Sequence, residues 1–278
     1  MHKAVLALTL SAAALHAIWN ALLRSGEDRL WSVTVMSFAT SAAAAIAACL
    51  LPIPDLSSWS YIALSAVLQV GYSILLAYAY RHGELSQVYP IIRGSVPPLV
   101  TFGGFALAGQ QLSRSGLLGI VLVSGGVASL ASGRNRVSLT TLLAALATAV
   151  FVAAYVTADG IGVRLAGNAQ SYTAWIFLTY GLLMPATFVL LRRRLKVDFR
   201  SRETLKALGG GALSLLSYGA VITALSLGKV GPVSALRETS VVFSALLGRI
   251  VLGESLTPRR AVACLVVALG AACIGYQA

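Results

Sequence analysis

"YPIIRGSVPPLVTFGGFALAG" (residues 89–109) holds a permanent cation, three prolines and a Gly-Gly pair within one apolar run. In a water-soluble core this stretch would be awkward. Buried arginine is costly unless paired, and proline removes a backbone hydrogen bond. In a bilayer it reads as a spanning helix. The arginine then faces the protein interior, and the prolines free carbonyls toward a cavity or allow bending. Composition decides between the two. The 278 residues are 58% hydrophobic and 11% charged, with a mean hydropathy of +0.83. Soluble domains carry about 25% charged residues. Too little polar surface remains to wrap so large an apolar content, so lipid is the solvent.

A helix crosses the hydrocarbon with about 20 mostly apolar residues. Charge, Pro and Gly punctuate the chain into ten such segments: 3–24, 31–51, 59–80, 87–109, 115–132, 138–159, 171–191, 204–227, 232–252 and 258–277. The expected class is an all-α integral membrane protein. Lys3 and the run up to "ALHA" imitate a secretory signal, but the apolar stretch continues to Leu23, so it reads as the first membrane helix. Connections are short, which makes neighbouring helices antiparallel. The Gly clusters at 103–104, 125–126 and 209–211 follow no strand and suit close helix crossings better than phosphate loops. Cys49, Cys264 and Cys273 sit in apolar runs at no ligand spacing and read as packing residues.

The second five segments repeat the first. At an offset of 144 residues Arg93 falls on Arg237, Ser95 on Thr239, Gly109 on Gly253, Ser113 on Thr257 and Gly126 on Gly270. Gly83 meets Gly228 one residue out of step, and "AIWN" (17–20) meets "AAYV" (153–156), pairing Trp19 with Tyr155. Each copy has an odd number of spans, so the second lies inverted relative to the first. The reading is two inverted five-helix repeats, 1–133 and 134–278, forming one membrane domain around a central cavity. Such repeats typify carriers that bind near the midplane and rock about that site.

"LHAIWNALLRSG", "AYRHGELSQVYPIIRGSVPPLV" and "ALRETSVVFSALLGRIVLGESLTPRRAVACLVVALGA" resemble the drug/metabolite transporter superfamily. More narrowly they resemble its ten-helix EamA-type members, which include the YddG-like amino-acid exporters. The Gly253-Glu254 ending followed by Thr257-Pro258 is the most specific piece. The resemblance implies a transporter fold and export of small metabolites, with amino acids as substrate. Thr257 and Ser113 also have a local role as caps for the helices that follow.

Basic residues near helix ends set orientation. Odd-numbered connections hold Arg24, Arg29, Arg81, Arg134, Arg136, seven cations from Arg192 to Lys206, and Arg259 and Arg260, fourteen in all. Lys3, Arg114, Arg164 and Lys229 are the four on the other side. The expectation is odd loops in the cytoplasm and both termini outside, in the inner (plasma) membrane. Many relatives are oriented oppositely, so the charges here depart from the family's usual pattern. The clustering also gives the net charge of +12 a membrane-flanking origin, which leaves no reason to expect nucleic acid.

Ionisable groups inside spans are functional candidates. His16, Trp19 and Asn20 share a face of the first helix, Tyr72 and Tyr80 one face of the third, and Tyr78 another. Tyr89 and Arg93 line the fourth, Tyr155 and Asp159 the sixth, Tyr218 the eighth, and Arg237 and Glu238 the ninth. Arg93 has two readings: an anion contact beside a kink, or a structural ion pair with Asp159 or Glu238. Arg237 has Glu238 as a neighbour, which favours a structural pair. Asp159 lies near an expected helix end, where solvation would account for it. Tyrosines around a cavity can stack on a ligand, face a cation or donate hydroxyls. Trp31, Trp59, Tyr61, Tyr172 and Trp175 fit an interfacial belt instead.

Together these point to a secondary transporter of small zwitterions. Arginine and hydroxyls would hold a carboxylate, and tyrosine faces with an acidic group would hold the ammonium. The alternative is a proton-coupled exporter of lipophilic organic cations, against which the first helix offers no Asp or Glu. A non-transporting membrane scaffold is the reading from another class. No Walker motif, metal-ligand cluster or nucleophile motif stands out, so neither an enzyme nor a cofactor is expected. Oligomeric state is not legible, and a monomer is compatible with all of this.

Overall fold

The computed structural model describes residues 3–22, 28–131, 137–251 and 257–276. Eleven α-helices run through them: α1 (Lys3–Leu22), α2 (Arg29–Leu50), α3 (Trp59–His82), α4 (Leu85–Ala108), α5 (Arg114–Ser129), α6 (Leu139–Leu165), α7 (Ala169–Arg192), α8 (Arg202–Leu227), α9 (Val230–Arg237), α10 (Ser240–Val251) and α11 (Pro258–Gly275). Ten spans are present, because α9 and α10 are two pieces of the ninth. Eight helical stretches among the described residues are long and apolar enough to cross a membrane. Phe102, Phe105, Leu182, Leu190, Ile250 and Leu265 face outward and exposed, as lipid contact requires.

With no water to satisfy the backbone, helices close their own bonds and hydroxyls bond back one turn. Thr9, Thr34, Thr148, Thr173 and Thr223 each donate to the carbonyl four residues earlier. Asp28, Ser113, Ser138, Asn168, Ser201 and Thr257 cap the helices that follow them. The two caps expected from sequence, Ser113 and Thr257, are among these.

Two of the expected spans are corrected, and the fourth stands as expected. The sixth helix continues past 159 to Leu165, so Asp159 lies well inside it. The ninth is broken at Glu238–Thr239 rather than continuous. The fourth keeps helical backbone through Pro90, Pro97 and Pro98. Pro97 and Pro98 leave the carbonyls of Arg93 and Gly94 without their usual partners, and Thr101 Oγ1 caps the Pro97 carbonyl at 2.8 Å.

The packing carries the internal symmetry. α1 packs on α8 as α3 packs on α6; α2 on α8 as α7 on α3; α4 on α6 as α9 and α10 on α1. α2 with α7 and α5 with α11 pair across the symmetry itself. Glycines mark the matching crossings. A Cβ at Gly83 would lie 2.3 Å from Thr141 Cγ2, and one at Gly228 would lie 3.0 Å from Val5 Cγ1. Gly83 and Gly228 are the pair that the repeat aligns, and Val5 stands to Thr141 as "AIWN" does to "AAYV". The boundary at 133/134 and the Gly253-Glu254 ending lie outside the described residues.

Candidate functional site

The interruption of the ninth span places two charges in the middle of the bundle. Every residue of α9 is buried. Glu238 N bonds Ala235 O and Thr239 N bonds Leu236 O, so the helix tightens and stops there. Arg237 and Glu238 leave this end in different directions.

Glu238 is 1% exposed, and its Oε1 accepts from Arg93 NH1 at 3.2 Å. Arg93 NH2 lies 2.6 Å from His16 Nε2. Because a guanidinium only donates, the imidazole accepts there and carries its proton on Nδ1. The arginine also stands over the Tyr89 ring, 5.4 Å from its centroid. Of the two partners that the sequence offered Arg93, Glu238 is the one found. Oε2 of Glu238 has no hydrogen-bond partner among the described residues.

Arg237 is not paired with its neighbour. It makes no ion pair among the described residues, its Nε is buried without a partner, and its side chain is 9% exposed. Its guanidinium sits over the Tyr218 ring at 5.5 Å. Asp159 is fully buried rather than solvated: the Tyr218 hydroxyl donates to Oδ2, and Tyr172 OH donates to Oδ1 at 3.2 Å. Tyr172 is therefore an interior residue and not part of an interfacial belt.

A cavity of about 120 Å³ lies in front of these groups. One water needs roughly 10–15 Å³ by this kind of measure, so a small organic molecule has room. His16, Trp19, Asn20, Tyr72, Tyr80, Tyr89, Arg93, Tyr155, Tyr218 and Arg237 all border it. Tyr72, Tyr155 and Tyr218 form a run of tilted rings with centroids 6.0 and 6.3 Å apart. Three candidates stand outside the wall. Asp159 and Glu238 are behind it, held as described. Tyr78 is 45% exposed and lies against His82, because it stands two positions before Tyr80 on the helix and so points to the opposite side.

The wall also contains residues that the sequence reading missed. α2 contributes Ser32, Met36 and Thr40 at four-residue spacing, with Arg29 and Ser37, and α7 contributes Phe177 and Tyr180. The spacing was the available signal, but hydroxyls in a spanning helix carry no charge to draw notice. No Asp or Glu among the described residues borders the cavity.

The cavity lies toward one side of the bundle. Its lining runs from mid-bundle toward the C-terminal ends of α1 and α3 and the N-terminal ends of α2 and α4. The opposite ends are knitted together. Arg164 donates to the Gly228 carbonyl and to Leu225 O (3.3 Å), Lys229 to the Gln111 carbonyl, and Val230 N to Gln110 Oε1 (2.9 Å).

Residues 139–276 match the model of the EamA-like transporter family, which places that half in the drug/metabolite transporter superfamily of membrane carriers. A solved structure described only as "Crystal structure of protein" is similar over 99% of this chain and 96% of that one, with a TM-score of 0.77. The two share 19% identity, so the likeness is one of fold. No curated protein matches this sequence.

Proposed function

We propose, from the premise that residues 139–276 belong to the EamA-like transporter family, that the chain is a secondary transporter exporting small metabolites, amino acids among them. It acts as a carrier and not as an enzyme. Its two five-helix halves, 1–133 and 134–278, alternate access to the cavity between them. The odd-numbered loops lie in the cytoplasm, which puts the cavity on the inward side of the bundle.

The observation that carries this reading is the one-sided cavity. Both halves supply its wall, it is sealed at one end by contacts between loops, and it meets a broken helix at its centre. A spanning helix broken at mid-depth offers backbone and charge to a ligand at low reorganisation cost. A scaffold protein has no use for such a space, and filling it with side chains would stabilise the bundle.

The test is counterflow in liposomes containing only this protein. Vesicles loaded with unlabelled leucine should accumulate labelled leucine transiently, and protein-free vesicles should not. Absence of counterflow across a panel of amino acids, with protein shown to be inserted and monodisperse, would remove the amino-acid reading.

A further inference from the structure

We infer that Arg237 is the anchor for a substrate carboxylate, and that the cavity takes small organic monocarboxylates whether or not they carry an α-ammonium group. This rests on the transport reading above and assigns the chemistry of its site.

The argument begins with the balance of charge around the cavity. Two arginines reach it from matching positions of the repeat, but they are not equivalent. Arg93 is neutralised by Glu238, and its remaining edge is taken by His16. Arg237 has neither. Asp159, the other carboxylate near it, accepts from the Tyr172 and Tyr218 hydroxyls and makes no ion pair with it. A guanidinium in a membrane interior with no ion-pair partner among the described residues calls for an anion.

The geometry also selects the kind of anion. Tyr218 covers one face of Arg237, so the N–H edge is what remains for a ligand, and that edge matches the two oxygens of a carboxylate. Ser214, one turn before Tyr218 on α8, borders the cavity and supplies a hydroxyl beside it. Beyond the anchor the wall is aromatic and aliphatic, formed by Tyr72, Tyr155, Phe177 and Val152. It suits an apolar tail. A phosphate would want further free cations converging on it. An ammonium would find ring faces, hydroxyls and the Asn20 and Gln69 amides but no carboxylate, because no described carboxylate reaches the wall. The carboxylate is thus required and the ammonium tolerated, and an organic cation lacking a carboxylate is repelled.

The experiment uses matched compounds on the full-length protein in detergent or nanodiscs. The probes are leucine and phenylalanine, their des-amino acids 4-methylpentanoate and 3-phenylpropionate, and their decarboxylated amines 3-methylbutylamine and 2-phenylethylamine. Binding is read by calorimetry, and flux is read in liposomes. At least one amino acid and its des-amino acid should bind within roughly tenfold of each other, and neither amine should bind. Arg237→Gln should weaken the acids by roughly tenfold to a hundredfold, and Arg237→Lys by less. Tighter binding of an amine than of its matched acid overturns the inference. So does acid binding unchanged in Arg237→Gln, or binding of no acid at all. If Arg237→Gln does not fold, the acid-against-amine comparison on the unaltered protein decides alone. Acid binding without flux would remove the transport reading and keep the site. Flux of leucine undiminished in Arg237→Gln would do the reverse.

Discussion

Arg93 and Glu238 are bonded across 145 positions of the chain, NH1 to Oε1 at 3.2 Å. The bond ties α4 to the break between α9 and α10. Both side chains are buried, so each partner's charge depends on the other. Breaking a buried pair from one side costs about 3–5 kcal/mol, because an uncompensated charge remains. Arg93→Ala and Glu238→Gln should therefore each lower the thermal midpoint of the purified protein. Arg93→Lys should recover most of the loss, since a point charge satisfies Glu238. The Arg93→Gln/Glu238→Gln double variant should be more stable than the sum of its singles predicts. Singles as stable as the parent would show that the pair is not a structural joint.

How far the sequence reaches is clear at this pair. The spans were legible because hydropathy and length are local properties, and the repeat was legible because its glycines recur. The break at Glu238–Thr239 was not, since neither Pro nor Gly interrupts "ALRETSVVF". The partner that Glu238 meets there, Arg93, is 145 positions away and invisible to local sequence. Pairing among Arg93, Arg237, Asp159 and Glu238 was likewise open, because the residue types allow several matches and only packing chooses. The α2 wall escaped notice because serine and threonine bond back to their own helix and resemble ordinary spanning residues.

The proposed orientation rests on the fourteen cations on the odd connections against four on the even. Phe199 is exposed between α7 and α8. In a background where Cys49, Cys264 and Cys273 are replaced by alanine, Phe199→Cys should react with a membrane-impermeant maleimide only after cells are opened. Labelling in intact cells would reverse the orientation and make the cavity outward-facing, with no effect on the fold.

No described carboxylate borders the cavity, so no acidic group there trades a proton against a cation. Flux of a zwitterionic substrate in liposomes should change little, less than about twofold, when a pH gradient is imposed without a substrate gradient. Steep acceleration by the gradient would contradict this. His16 or Asp159 would then be the carrier of the proton, and loss of the acceleration in Asp159→Asn would assign it to Asp159. That variant preserves the shape of the site and asks one of Tyr172 or Tyr218 to accept instead of donate.

The sealed end depends on α6 and α9 approaching closely. A Cβ on Gly160 would lie 2.1 Å from Val230 Cγ1, closer than side-chain atoms allow, so Gly160→Ala must push α9 outward or rotate Val230. Val230 cannot move freely, because its N–H is held by Gln110 Oε1 at 2.9 Å, while Gly104 and Gly160 both face its methyl groups. Overpacking of this sort costs about 1–3 kcal/mol. If rocking opens this end, the cost falls on the sealed state and spares the opened one. Gly160→Ala should then raise the labelling rate of a cysteine introduced at Ser234, which is buried on α9 in the sealed state. Adding Val230→Ala should restore the parent rate by removing the clashing methyl. A labelling rate unchanged by Gly160→Ala, in a protein of ordinary stability, would mean that the crossing yields without opening. The seal would then have to be sought in the clasp of Arg164 on the Leu225 and Gly228 carbonyls.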